Sequence, residues 1–448
     1  MSLLAALSLL AAAPGIAPRD CPAPLPAQLR CGTLEVPEDR SRPEGRKIAL
    51  NIIILPSTGP VRFPPLFDLE GGPGLPSTHS AAFYLTDGAA YRAGRDVVLV
   101  DQRGTGGSNP LTCPDLDAPE RQYAPLYPRA LVEACRDRLA ARADLTRYGT
   151  DEAAADLDAV RGALGAERID LVALSYGTTL ALRYAALHPD RVRAMVLYGT
   201  VPSDARPPRS HAPNAMRAMG QIVRDCARAP ACHRAYPELG REFGRATGGL
   251  PASLSREVFL EKLRSLMYMP AGAARIPQIL HRAAAGDLAP FYAATRRTAP
   301  GELAEGLYLS ITCSESIAGM DHRAAAEASM RTPFGNYRLF VQREACRSWP
   351  SYTPAPGFFA PPAPAMPVLL ISGERDPVTP PDWAEAIARR SPRARHIVLP
   401  GGGHVVDGMA GVDTCLDPMI GRFLENPDAP ALDTSCVATM HPPAFATE

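Results

Sequence analysis

Apolar residues gather along this chain in short blocks separated by polar and glycine-rich segments. Cys31-Gly-Thr-Leu-Glu-Val-Pro37 and Lys47-Ile-Ala-Leu-Asn-Ile-Ile-Ile-Leu55 have the length and composition of two strands joined by a polar turn segment. Pro65-Leu-Phe-Asp-Leu69 runs toward Gly71-Gly-Pro-Gly74, and Arg95-Asp-Val-Val-Leu-Val100 runs into Asp101-Gln-Arg-Gly104. Apolar runs closed by glycine-rich loops are expected of strands buried inside an α/β sheet. The period then changes. Thr150 is predicted to cap a helix with Asp151 and Glu152 in its first turn, and Leu157, Val160 and Leu164 recur at helical spacing until Gly165. Arg168–Leu174 is the next predicted strand, Tyr176–Leu187 the next helix and Arg193–Tyr198 a further strand.

From about Ser203 to Pro362 the alternation stops, and the chain becomes Ala/Arg-rich, helical in pattern and punctuated by prolines. Strand-like runs resume at Met366–Ile371 and Arg395–Leu399, and Val412–Leu424 is predicted as a closing helix. This order predicts an α/β fold: a mostly parallel sheet with helices on both faces, interrupted by one helical insertion. The expected division is 1–18 as a leader, 19–202 and 363–448 as two parts of one core, and 203–362 as the insertion.

Composition narrows the function. With 448 residues, 46% hydrophobic content and zero formal net charge, the chain can bury a large core and is not a disordered protein. It has no basic excess to neutralise phosphates, so a nucleic-acid partner is not expected. Neither G-x-x-x-x-G-K-[ST] nor a full G-x-G-x-x-G occurs, so no nucleotide cradle is indicated. Residues 1–18 carry no acidic or basic side chain, and the apolar run Leu3–Ala13 is too short for an ordinary membrane span. It resembles the centre of a signal peptide, with Ala11-Ala12-Ala13 as a small-residue cleavage region, which predicts export.

Ten cysteines support an oxidising compartment: Cys21, Cys31, Cys113, Cys135, Cys226, Cys232, Cys313, Cys346, Cys415 and Cys436. Taken two at a time they lie 6 to 33 residues apart, whereas successive pairs are separated by at least 69. That spacing favours five local disulfides between consecutive cysteines over long crosslinks through the core. Zinc is the competing use of cysteine, but no C-x-x-C or H-E-x-x-H occurs, so neither a metal nor a cofactor is expected.

The segment richest in chemistry is Leu171-Val-Ala-Leu-Ser175-Tyr-Gly177-Thr-Thr-Leu-Ala181. A serine between a strand and a helix, with small residues two before and two after, is the setting of a nucleophile elbow. Ala173 stands where the consensus has glycine; a serine here can also be a plain helix cap. Hydrolases of this kind place the acid and histidine later, in the order Ser, Asp, His. Asp376 follows the strand ending at Ile371, and His404 follows Leu399-Pro-Gly-Gly-Gly. Both loops are expected at the sheet edge that carries Ser175. The roles are then Ser175 as nucleophile, His404 as base and Asp376 as its orienting carboxylate. Asp382, Asp407 and His396 are rivals, less well placed in a helix, after the histidine and within a strand. The oxyanion donors expected are the Tyr176 N–H, at the start of the helix, and a second N–H from Gly72 or Gly71.

Gly71-Gly-Pro-Gly74, Asp101-Gln-Arg-Gly-Thr-Gly-Gly-Ser108, Ser175-Tyr-Gly-Thr178 and the Asp376 and His404 loops together resemble one family. It comprises the α/β-hydrolase serine exopeptidases, with proline iminopeptidase and the secreted tripeptidyl aminopeptidases. The resemblance runs from about Cys31 to Phe445 and includes Cys436-Val and the following Pro-Pro-Phe. Ala173 and Glu70 depart from it, since many iminopeptidases have histidine before the two glycines; Glu70 bears on substrate preference. The resemblance implies the α/β-hydrolase fold, a cap formed by the insertion over Ser175, and acidic cap residues that hold the substrate's free amino terminus. Glu315, in Thr312-Cys313-Ser-Glu315-Ser, is the candidate, with Glu70 as a second substrate-binding carboxylate. Gln102 and Arg103 either line the site or pack their own loop. The function implied is a secreted serine aminopeptidase acting on peptides through an acyl-enzyme, with single-residue and tripeptide release both open. The alternatives are a carboxylesterase or other small-molecule hydrolase with the same triad, and a catalytically silent binding protein.

Overall fold

The computed structural model describes residues 15–26 and 28–447. Most of the expected leader, including Leu3–Ala13 and Ala11-Ala12-Ala13, lies outside the described residues. Nine strands form one sheet: β1 (Ala17–Arg19), β2 (Arg30–Pro37), β3 (Lys47–Leu55), β4 (Leu66–Leu69), β5 (Val97–Val100), β6 (Ile169–Leu174), β7 (Val192–Tyr198), β8 (Val368–Gly373) and β9 (Ala394–Leu399). Their order is β1-β2-β3-β5-β4-β6-β7-β8-β9. The pairs β1–β2, β2–β3 and β3–β5 are antiparallel, and the rest, from β5 to β9, are parallel.

Alternation along each strand builds the two covered faces. Phe67, Leu69, Val98 and Val100 point into one layer, with Leu157 and Val160 of the helix Thr150–Ala163 and Leu180 and Tyr184 of the helix Tyr176–Leu187. Their neighbours Leu66, Val97 and Leu99 point the other way, against Met419, Ile420 and Phe423 of the helix Asp417–Glu425. Burial on both faces explains why these strands read as nearly continuous apolar runs. Between β7 and β8 every regular element among the described residues is helical, from His211–Arg228 to Tyr337–Cys346. Met219, Ile222, Phe259, Ile279 and Phe291 form a separate apolar cluster there.

All five expected disulfides are present: Cys21–Cys31, Cys113–Cys135, Cys226–Cys232, Cys313–Cys346 and Cys415–Cys436. Three local expectations need correction. Ala17 and Pro18, grouped with the leader, lie in β1 and pair with Thr33 and Gly32. Thr150 is the first helical residue rather than the cap; Gly149 holds the cap position and contributes no side-chain bond. The closing helix begins with a π-helical turn, Val412–Leu416, before its α-helical part.

Candidate active site

Ser175 follows the last residue of β6 with φ 55° and ψ −124°, a left-handed backbone that a non-glycine residue adopts under strain. Its N–H donates to the Tyr198 carbonyl at 2.9 Å, and its own carbonyl accepts from the Thr178 N–H at 2.9 Å. These bonds fix the turn from both sides. Gly177 is required because a Cβ there would lie 2.1 Å from the Leu69 carbonyl oxygen. Ala173 is buried in the sheet core, so its extra methyl is absorbed by packing.

Asp376 and His404 leave the ends of β8 and β9. Gly373 and Gly403 let their loops touch: a Cβ at Gly373 would sit 1.9 Å from the Gly403 carbonyl. Asp376 is fully buried. One carboxylate oxygen accepts from the Val378 and Thr379 N–H groups, both at 2.8 Å. The other accepts from Thr379 Oγ1 and, at 2.8 Å, from His404 Nδ1. Burial alone would raise the Asp376 pKa; the charge and hydrogen bond of His404, with the Thr379 bonds, outweigh it and hold it below the ordinary value. Among the rivals, His396 is committed elsewhere, to Ser372 and Glu385.

A cavity of about 350 Å³ brings Gly71, Gly72, Ser175, Tyr176, His404 and Glu315 to one surface. Gly71 packs on the serine, since a Cβ there would lie 2.9 Å from Ser175 Cβ. The Gly71 N–H faces Glu70 Oε2 at 3.4 Å. Gly72, at φ 110°, occupies a backbone region open to glycine. The Tyr176 side chain points back into the protein, with its hydroxyl against Thr150 Oγ1 at 2.8 Å and Gln102 Nε2 at 3.2 Å.

Glu315 lies on a π-helical turn, Thr312–Ile317, that extends the helix Glu305–Ile311. The Cys313–Cys346 bridge ties this turn to the helix Tyr337–Cys346. Its buried carboxylate accepts from the Thr150 N–H at 2.8 Å, from Thr150 Oγ1 at 2.6 Å and from the Tyr352 hydroxyl. It therefore caps the helix Thr150–Ala163 from across the molecule. Burial pushes its pKa up to about 7, partly opposed by the Thr150 and Tyr352 hydrogen bonds.

Glu70 does not fit its expected role. It accepts from Ser80 Oγ at 2.6 Å and borders a different, smaller cavity. Arg103 is also structural: fully buried, it donates to Asp156 at 2.6 and 2.7 Å and to the carbonyls of Glu38 and Arg147. Sequence reasoning missed four residues at the site. Thr379 shares Asp376, and its spacing three residues after the aspartate was the one local signal available. Tyr268 and His404 pack as a T-shaped pair with ring centres 5.0 Å apart, and Arg338 and His211 line the cavity. Burial, with Arg264 and Arg338 nearby, lowers the His211 pKa well below its ordinary value, and its Nδ1 has no hydrogen-bond partner among the described residues.

Comparison with known proteins agrees with this architecture. The chain belongs to the α/β-hydrolase fold family, whose match covers residues 64–406. It is a serine hydrolase, similar over most of its length to the tripeptidyl aminopeptidase of Streptomyces lividans: 27% identical, covering 95% of this chain and 87% of that one. The serine protease Hip1 of Mycobacterium tuberculosis is 32% identical over 46% of this chain and 43% of its own. Carboxylesterase B of the same species is 29% identical over 91% of this chain and 86% of its own.

Proposed function

We propose that the protein is an exported serine aminopeptidase that hydrolyses peptides from a free N-terminus, releasing a single residue or a tripeptide. The observation carrying this reading is a buried carboxylate, Glu315, in the same cavity as Ser175. An ammonium group entering that cavity gains a charge-assisted bond in a desolvated setting, where such bonds are strong.

The chemistry divides among three side chains. His404 Nδ1–H is engaged by Asp376, which leaves Nε2 to take the proton of Ser175 Oγ as the oxygen attacks the scissile carbonyl. The negative charge that develops on the carbonyl oxygen is met by the Tyr176 N–H, at a helix N-terminus, and by the Gly72 N–H. Gly72 is preferred over Gly71 because the Gly71 N–H already faces Glu70. The C–N bond breaks as His404 returns its proton to the leaving amine, giving an acyl-enzyme. Water, deprotonated by the same histidine, then releases the acyl product and restores Ser175. Five disulfides support export to an oxidising compartment.

Carboxylester hydrolysis is the second reading, favoured by the carboxylesterase relative and by the three donors that Glu315 already has. The two separate on one experiment, a comparison of free and N-acetylated twins of the same peptide. An aminopeptidase cuts the free peptide at least about tenfold better in kcat/KM, because acetylation removes the charge and a donor. Glu315→Gln reproduces that loss and spares a small activated ester. Equal cutting of both twins overturns the aminopeptidase reading and promotes the esterase.

A further inference from the structure

The helical region between β7 and β8 reaches down to the two loops that carry the acid and the base. In the helix His211–Arg228, Arg217 donates from Nη1 to the Glu374 carbonyl at 2.7 Å and from Nη2 to the Asp376 carbonyl at 2.5 Å. Asn214, one turn earlier, donates to the Val378 carbonyl at 2.8 Å. Two turns later Asp225 accepts from Arg375 Nε and Nη2 at 2.9 and 2.8 Å. Positions 214, 217 and 225 share one helix face, so a single rigid surface grips the whole turn around Asp376.

The base is held in the same way. The Tyr268 carbonyl, just beyond the helix Arg256–Leu266, accepts the N–H groups of His404 at 2.8 Å and Val405 at 3.1 Å. A Cβ at Gly403 would lie 2.4 Å from that carbonyl oxygen, so a glycine is needed for the approach. The C-terminal segment closes the third side. The Ala446 N–H donates to the Ala274 carbonyl at 3.0 Å, Phe445 packs in the helical cluster, and the Arg375 guanidinium lies 5.3 Å from the Phe445 ring centre.

The acid and base turns both lie beyond the ends of their strands, where no sheet ladder fixes them. We infer that Arg217 is a positioning residue for Asp376, and that the helical region sets the acid–base geometry as well as covering the cavity. A small displacement of a catalytic group is enough to lower the rate by one to two orders of magnitude. The inference does not depend on which bond is cleaved, so it predicts a defect on esters as well as peptides, unlike a change at Glu315.

The test compares Arg217→Met, which keeps much of the stem without donors, with Arg217→Lys. Arg217→Met should lower kcat at least about tenfold on a small activated ester and on a peptide alike, with KM changed less than about twofold. Inactivation by a serine-directed phosphonate should slow in parallel, and the low-field proton resonance of the His404–Asp376 hydrogen bond should shift. Arg217→Lys, keeping one donor, should recover part of the rate. Unchanged ester turnover in folded Arg217→Met, or a loss confined to KM, overturns the proposal. Should Arg217→Met fail to fold, Asn214→Ala is read by the same kcat, KM and proton-resonance criteria, with the same outcomes deciding.

Discussion

At Ser175 a strained backbone and a short side chain meet above the sheet edge, and the turn is held by backbone hydrogen bonds to Tyr198 and Thr178. Ser175→Ala should therefore abolish turnover, by about 10⁴-fold or more, while the melting transition stays close to that of the parent. Retained turnover in a pure sample would place the nucleophile elsewhere. Glu315 gives a second residue-level prediction. Its raised pKa of about 7 means that its charged form, the one that pairs with an ammonium, grows as pH rises through neutrality. The kcat/KM of a free peptide divided by that of a small ester cancels the groups both reactions share. This ratio should climb through pH 7 and fall again above about pH 8 as the substrate's α-amino group loses its proton. A ratio flat from pH 6 to 8 would exclude Glu315 as the ammonium site. The meeting of Ser175 and His404 at one cavity and the Asp376–His404 hydrogen bond were legible because each residue follows a strand and has small residues beside it in sequence. Glu70 misled because its position before the glycines says nothing about its side chain, which Ser80 draws away.

Among elements, the parallel strands were readable from their apolar runs, and the five cysteine pairs from their spacing. What the sequence could not disclose were contacts between distant elements: the Glu315 cap on the helix Thr150–Ala163, the Arg217 grip on the Asp376 turn and the Tyr268 carbonyl behind His404. Each joins residues at least 136 positions apart, and no local pattern marks them. The three-residue β1 was missed for a related reason, since Ala17-Pro-Arg19 has no strand signature and acquires one only by pairing with β2. The Cys313–Cys346 bridge shows what such a tie does for the site. It closes a loop of 33 residues and anchors the turn that presents Glu315. Replacing both cysteines with serine should destabilise the protein by about 3–4 kcal/mol in the chain-entropy estimate, measured by denaturant unfolding. If the turn needs that anchor, the variant should also lose peptide activity before ester activity as denaturant is added. Parallel loss of both would assign the bridge to global stability alone.

For the whole molecule, the dependence of stability on pH sets two expectations against each other. Formal charge is balanced and the sequence pI is about 7.1, so self-repulsion is least near neutrality. The buried carboxyls argue for a lower optimum. Burial, reinforced by the Glu70 charge, pushes Asp68 up to about 8. Burial likewise lifts Glu305 and Glu315 to about 7 each. A group raised in the folded state contributes stability that is fully present below its unfolded pKa and is lost as pH rises through the folded one. For these three the loss runs from about pH 4 to 8. Glu261 works in the opposite sense. Burial would raise it, but Arg264 and Arg338 hold it down to about 2, so its contribution exists above its unfolded pKa and disappears as pH falls toward 2. Local shifts of this size outweigh the repulsion of a nearly neutral surface, since one pKa unit corresponds to about 1.4 kcal/mol. The denaturation midpoint should therefore peak near pH 5, and stability should be lower at pH 8 by at least about 1 kcal/mol. Asp68→Asn, which keeps the shape and removes the titration, should flatten the alkaline part of that fall. A midpoint that peaks at pH 7 would show that the raised carboxyls do not set the optimum, and an Asp68→Asn profile that parallels the parent would show that Asp68 does not titrate with a raised pKa.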